Sequence, residues 1–295
     1  MQPETKYARV GGDQIAYQVL GAGPPDLVMT TGNYSHVDMV WEDPGMARFL
    51  RTLASFSRLI VFDRRGTGAS DPRPLASLPP WESYAQDLTA VLDEVGSEQA
   101  ALLTQLDASP MALFFAGTRP ERTRALILAN AAAKFQATDD YPIGVRPEVT
   151  EALLAQFDQL WGTEAMAAMF APSRAGDQRF CRWFARYQRA VASPRAVQAF
   201  LRANLEMDAR PILPLIQAPT LVLHRPTTSS SRSPTGAIWS STSPMPDWSS
   251  WPGPSSRCSG RRLTSSWTTS SGSSPGCAAA SSQPGCWPRC CSLTS

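Results

Sequence analysis

The chain has 295 residues, 43% of them hydrophobic and 18% charged, enough for one large domain with a substantial core or two modest ones. Its formal charge of +2, and the lack of any apolar run near the roughly 18 residues a spanning helix needs, exclude a nucleic-acid binder and a membrane span as the expected reading. The charge is unevenly placed: residues 226–295 carry five arginines against Asp247 alone, whereas residues 1–225 carry 22 basic and 24 acidic residues. Residues 1–10 show no apolar h-region, so a cytoplasmic protein is expected. Cys181 is the single cysteine before position 226. The five in the tail have neither a neighbouring histidine nor a usual ligand spacing, so no metal and no other cofactor is expected.

In chain order, segments 7–10 and 15–20 around Gly11-Gly12-Asp13 predict a hairpin. A short apolar strand is expected at 27–30. A helix is expected at 46–55, with Met46, Phe49, Leu50 and Leu53 on one face and Pro44 just ahead of it. Segment 59–62 reads as a fully buried strand, and 81–95 as a helix whose inner face is Leu88, Val91, Leu92 and Val95. A strand at 100–103, a helix at 110–117 opening on proline and a strand at 125–128 follow. The pattern then turns purely helical, at 147–161, 180–191 and 195–207, before a strand returns at 220–223. Strand–helix alternation broken by a helical insert predicts an α/β fold: a mostly parallel sheet, helices on both faces and a helical lid at about 135–207.

Five stretches together resemble a known family: QIAYQVLGAGPPDLV, WEDP, RFLRTLASFSRLIVFDRRGTGASDP, PERTRALILAN and APTLVLHR. They are similar to the α/β-hydrolase-like domain that precedes class III adenylate/guanylate cyclase domains in some bacterial proteins, over about residues 5–225. The resemblance implies a nucleophile on a strained strand-to-helix elbow flanked by small residues. That elbow must lie between the strand at 100–103 and the helix at 110–117. Only the register Thr104-x-Leu106-x-Ala108 gives small residues at both flanks, which places Leu106 where the nucleophile belongs. Asp107 could act instead as a carboxylate nucleophile, with the bulky Gln105 as one flank, or be a polar residue at a turn. Ser109 could act as a nucleophile or be a helix N-cap. The two histidines are His36, in the loop after the 27–30 strand, and His224, at the end of the 220–223 strand. Neither stands at the base position of a triad. Thr31, Gly32 and Asn33 lie where the family draws an oxyanion-hole N–H. The run Asp63-Arg64-Arg65-Gly66-Thr67-Gly68 lacks the spacing of a phosphate loop and reads as a structural turn after a strand.

The segment 226–295 departs from every earlier pattern, with 22 serines, five tryptophans and no lysine. Reading its codons one base out of register forces several outcomes. The prolines after Met245, Trp251 and Trp287 become alanine, and Thr268 becomes aspartate. With those fixed, 244–253 can decode to PDARLVELAG, 267–276 to LDDIVGVLTG and 286–295 to VLATVLFTDI. In the family these correspond to the next strand, the final helix and the first strand of a cyclase domain. No codon choice at 254–257 yields histidine in that frame, so the base is missing there too. The expectation is a domain at 1–225 followed by an out-of-frame, disordered tail at 226–295; the alternative is a genuine basic tail. The last strand and helix of the domain would then be missing, the strand at 220–223 would have an open edge, and the cyclase would be absent from this chain.

Two functions follow. One is a ligand-sensing, regulatory domain without an intact triad, holding a small apolar ligand under the lid. The other is an esterase or lipase acting on a small apolar ester through unusual residues. Oligomeric state is not legible.

Overall fold

A computed structural model describes residues 2–30, 35–73, 81–223 and 261–263. Strands β1 (Lys6–Val10) and β2 (Asp13–Leu20) form the hairpin. Val10 faces Asp13 across Gly11 and Gly12, and Gly11 sits at φ +61°, a conformation that two-residue hairpin loops require and glycine tolerates. Strands β3 (Asp26–Thr30), β4 (Arg58–Phe62), β5 (Ala100–Gln105), β6 (Thr123–Ala129) and β7 (Thr220–Leu223) follow. With β8 (Arg261–Leu263) they make one sheet in the order β1-β2-β4-β3-β5-β6-β7-β8. β4, β3, β5, β6 and β7 are mutually parallel, and β1, β2 and β8 are the antiparallel additions.

The parallel strands are apolar on both faces because each face has a cover. Leu27 and Met29 of β3, with Leu59 and Val61 of β4, join one core cluster. Val28, Ile60 and Phe62 join the other. A slip of one residue would exchange the two sets, so burial of both faces fixes the register. Helix α1 (Pro44–Ala54) covers the first face; α2 (Trp81–Glu94) and α3 (Ser109–Thr118) cover the second. The start of α1 is set locally: the Asp43 carboxylate accepts from the Met46 N–H at 2.9 Å, and Pro44 occupies the first turn.

The helical insert contains α4 (Pro147–Leu160), α5 (Met166–Phe170), α6 (Gln178–Val191) and α7 (Pro194–Glu206). Three of these follow the sequence periodicity. The five-residue α5 is additional, being too short to show a helical repeat. Phe157, Phe170, Phe180 and Phe184 pack edge to face and stacked at 5.5–5.7 Å in the lid's interior. The lid is also stitched to the sheet domain. Trp183 Nε1 donates to the Met39 carbonyl at 3.1 Å, Gly68 N–H donates to the Val191 carbonyl at 3.0 Å, and Arg174 pairs with Asp43 at 2.8 Å.

The segment 226–295, expected to be disordered, lies outside the described residues except for 261–263. Those three pair antiparallel with β7, so the edge at Thr220–Leu223 is not open along their length. The physical reason is general: an unpaired edge presents a row of N–H and C=O groups that any extended backbone can satisfy, whatever its side chains.

Candidate functional site

The chain turns sharply from β5 into α3. Gln105 is extended (φ −140°, ψ 150°), Leu106 takes φ +50°, and Ser109 is already helical (φ −63°, ψ −44°). A left-handed φ is a strained conformation for a residue with a γ-branched side chain. Leu106 and Asn130 are the two non-glycine residues at positive φ among the described residues, and Leu106 is the centre of Thr104-x-Leu106-x-Ala108. The flanking Thr104 and Ala108 are buried. At the apex of the turn stands a half-buried leucine side chain with no lone pair and no titratable proton.

The neighbouring candidates are placed as follows. Asp107 is half-buried, and Asn204 Nδ2 of α7 lies 3.2 Å from both its carbonyl and its carboxylate oxygen, so the lid touches the residue next to the apex. Ser109 is not the N-cap that its sequence context suggests. It is the first residue of α3, the cap position belongs to Ala108 without a side-chain bond, and the fully buried Ser109 Oγ has no hydrogen-bond partner. The abrupt turn moves the helix start one residue earlier than Pro110 implies, which carries the hydroxyl into the core. Thr31, Gly32, Asn33 and His224 lie outside the described residues.

The loop after β4 holds the charged part of the region. Asp63 is wholly buried; its Oδ2 accepts from Val37 N–H at 3.0 Å and Ala69 N–H at 2.9 Å, tying the loop after β3 to its own loop. Burial pushes the Asp63 carboxyl up to about 6, against the pull of those N–H groups and of His36. Its Oδ1 and His36 Nδ1 are buried atoms without a hydrogen-bond partner, and both residues line a cavity of about 20 Å³ whose other walls are Ser35 and apolar side chains such as Met29, Val40 and Leu50. That volume is room for one water molecule, not an organic ligand. Gly68 takes φ +57°, and a Cβ there would stand 2.2 Å from Asp63 Oδ2. Arg65 donates to Asp87 of α2 through Nε at 2.7 Å and to Asp13 at 3.2 Å, and Arg73 also pairs with Asp13. Burial raises the Asp87 carboxyl above its ordinary range while Arg65 pulls it back. Arg64 lies 4.7 Å over the Phe200 ring of α7, with Nη1 3.4 Å from Met111 Sδ in the first turn of α3. The loop therefore acts as a structural knot beside the elbow, joining both neighbouring loops, α2 and the lid.

This geometry agrees with what the chain is similar to. A family profile described as alpha/beta hydrolase fold matches residues 26–263. The chain belongs to the α/β-hydrolase fold family. It is 27% identical over 164 residues to Karrikin insensitive 2 receptor B of Petunia hybrida, covering 54% of this chain and 56% of that protein. It is 27% identical over 132 residues to the putative carbamate hydrolase RutD of Azorhizobium caulinodans, covering 43% of this chain and 45% of that one. The chain spans about half the length of the curated relatives it matches. Among solved structures, an esterase (EaEST) from Exiguobacterium antarcticum aligns with TM-score 0.60 at 24% identity, over 74% of this chain and 80% of that one. A bromoperoxidase from Bacillus anthracis aligns at 0.57 and 20% identity, over 75% and 81%. In α/β hydrolases the nucleophile ordinarily sits on a strained strand-to-helix turn of this kind.

Signals for most of these residues were present in the sequence, but two were missed. The Val37–Asp63 bond, which brings His36 beside Asp63, joins loops 26 positions apart, and Asn204 reaches Asp107 across 97. Neither pairing leaves a local pattern. Among the described residues no group of three or more His, Cys, Asp and Glu side chains could hold a metal, and no helix is long and apolar enough to cross a membrane.

Proposed function

We propose that this α/β-hydrolase-fold chain is a cytoplasmic ligand-sensing module that does not hydrolyse its ligand, and that it belongs to the regulatory part of a nucleotidyl cyclase. The observation that carries the reading is Leu106 at φ +50° on the elbow: the strained backbone is there, and the side chain has no nucleophilic atom. The adjacent carboxylate does not substitute for it, because Asp107 is engaged by Asn204; the adjacent hydroxyl does not, because Ser109 is fully buried. A backbone oxyanion hole without nucleophile and base is a weak catalyst. A receptor among the relatives supports a sensing role on this scaffold. The small apolar ligand of this reading would have to enter by a movement of the lid, whose aromatic side chains here pack against one another. The cyclase link rests on the five sequence stretches and on the three out-of-frame segments at 244–253, 267–276 and 286–295.

The purified chain, offered p-nitrophenyl acetate and butyrate, is expected to release nitrophenol no faster than buffer, and a fluorophosphonate probe is expected to leave it unlabelled. Turnover that disappears in Asp107→Ala or Ser109→Ala would overturn the reading in favour of an esterase. Resequencing the codons for residues 224–228 is expected to reveal a one-base change of frame; an uninterrupted frame would remove the cyclase link.

A further inference from the structure

Helix α6 presents two unlike faces. Phe180, Trp183, Phe184 and Tyr187 are buried against the lid and sheet domain, while the exposed positions are Gln178, Arg179, Arg182, Arg186, Arg189 and Ala190. The four arginines are spaced three, four and three residues apart, so they form one stripe along the helix. At 1.5 Å rise per residue the stripe is about 15 Å long. The helix itself contains no acidic residue.

The stripe works against the helix that carries it. Arg179 is the second helical residue, where the macrodipole favours an acid, and like charges three and four residues apart repel. Nearby carboxylates offset only part of it. Glu42 pairs with Arg186, and Arg189 donates to the Gly162 carbonyl. Asp177 caps the helix through Arg179 N–H and Phe180 N–H, and its carboxylate pairs with Arg174. Arg179 and Arg182 form no ion pair among the described residues. This cationic line stands out because residues 1–225 carry more acidic than basic residues.

We propose that the outer face of α6 docks an acidic helical segment of a partner protein, one whose carboxylates repeat every three and four residues on one side. Guanidinium forks pair with carboxylates two bonds at a time, and two helices laid side by side bring matching spacings into register. A lipid surface fits less well. The exposed large apolar side chains among the described residues are Tyr7, Phe56, Ile143 and Leu215, none of them on α6, so this face has nothing to insert. A nucleic acid fits less well too, because one narrow stripe on a net-acidic domain offers few phosphate contacts. The inference holds whether or not the elbow is catalytic.

The test uses the full chain and a dye-labelled synthetic helix with glutamates on one face, followed by fluorescence anisotropy. Binding is expected at low salt and lost at about 0.5 M, where screening is strong. Arg179→Gln with Arg182→Gln is expected to weaken it roughly three- to tenfold, the sum of two exposed charge pairs. Arg179→Glu with Arg182→Glu is expected to abolish it. The control, Arg119→Gln with Arg124→Gln, makes the same charge change at exposed positions before and within β6 and is expected to leave binding unchanged. Circular dichroism melts check that each variant folds. Absence of binding by the parent chain, equal weakening by test and control pairs, or tighter binding to phosphatidylglycerol vesicles or duplex DNA than to the peptide would each overturn the proposal.

Discussion

The elbow after β5 and the loop after β4 lie side by side, and they treat their unusual residues in opposite ways. The β4 loop buries polar and charged groups and holds Asp63 and Arg65 through bonds of their own, although Asp63 Oδ1 is left without a hydrogen bond. Asp63 takes two backbone N–H groups, Arg65 takes Asp87 and Asp13, and Gly68 leaves room for the Asp63 carboxylate. The elbow keeps a strained backbone at Leu106 with no polar group for the strain to present. Strain at an active site is ordinarily tied to a chemical task. Here the shape is held by its surroundings: the small flanks Thr104 and Ala108, and α7 packed across the turn. The comparison teaches that a left-handed turn can be held by the packing around it, without a polar group of its own to fix it.

The largest effect should come from breaking the β4 knot. Asp87→Ala leaves the Arg65 guanidinium, only 7% exposed, with Asp13 as its remaining partner. Removing one member of a buried pair costs about 3–5 kcal/mol. Urea unfolding is expected to show a loss at the lower end of that range, and a loss under about 1 kcal/mol would mean that the knot is not holding the region together. Gly68→Ala comes next. It forces an alanine into φ +57°, which costs about 1–2 kcal/mol, and drives its Cβ toward Asp63 Oδ2. A loss of more than about 2 kcal/mol is expected from the same assay.

The third effect is on pH. The Asp63 carboxyl titrates near 6 in the folded chain, above its ordinary 3.8, because burial disfavours the charge. Between those values the folded state holds a proton that the unfolded state has released. Stability therefore falls as pH rises from about 4 to 6, by at most about 1.4 kcal/mol per pH unit, and this contribution is flat on either side. Asp63→Asn keeps an oxygen for Val37 N–H and Ala69 N–H and removes the titration. The difference between the parent's and the variant's stability curves should carry that slope; parallel curves across this window would show that Asp63 is not the source.

The sequence made the scaffold legible because its signals are local. Alternating strands and helices, Pro44 ahead of α1 and the Gly11-Gly12 hairpin each fix an element from within a few residues. The register expected for the elbow rests on a different signal: a sharp turn excludes large flanks, and only Thr104 and Ala108 are small at both sides; Leu106, between them, is the residue at φ +50°. The rest was hidden by distance or scale. Asn204 meets Asp107 across 97 positions, and Asp63 meets Val37 across 26. Helix α5 has five residues, too few for a period to emerge. Ser109 looked like a cap because serine before proline commonly is one, and only the three-dimensional turn shows the helix starting on it.

The smallest effect probes the elbow itself, and its sign matters more than its size. In a helix or strand interior, replacing a residue by glycine costs roughly 0.5–1 kcal/mol more than replacing it by alanine. At Leu106 that order should reverse. Leu106→Ala gives up the apolar contacts of a half-buried side chain, worth about 1 kcal/mol, and keeps a Cβ at φ +50°. Leu106→Gly gives up the same contacts but relieves about 1–2 kcal/mol of left-handed strain, less the entropy glycine adds to the unfolded chain. Glycine is thus expected within about 1 kcal/mol of the parent and more stable than alanine. If alanine proves the more stable variant, the turn does not hold Leu106 in a strained left-handed conformation in solution. If glycine is favoured, the turn is imposed by the sheet and lid around it, and the contrast with the β4 loop stands: one region stabilises its unusual groups through their own bonds, the other through the fold that encloses it.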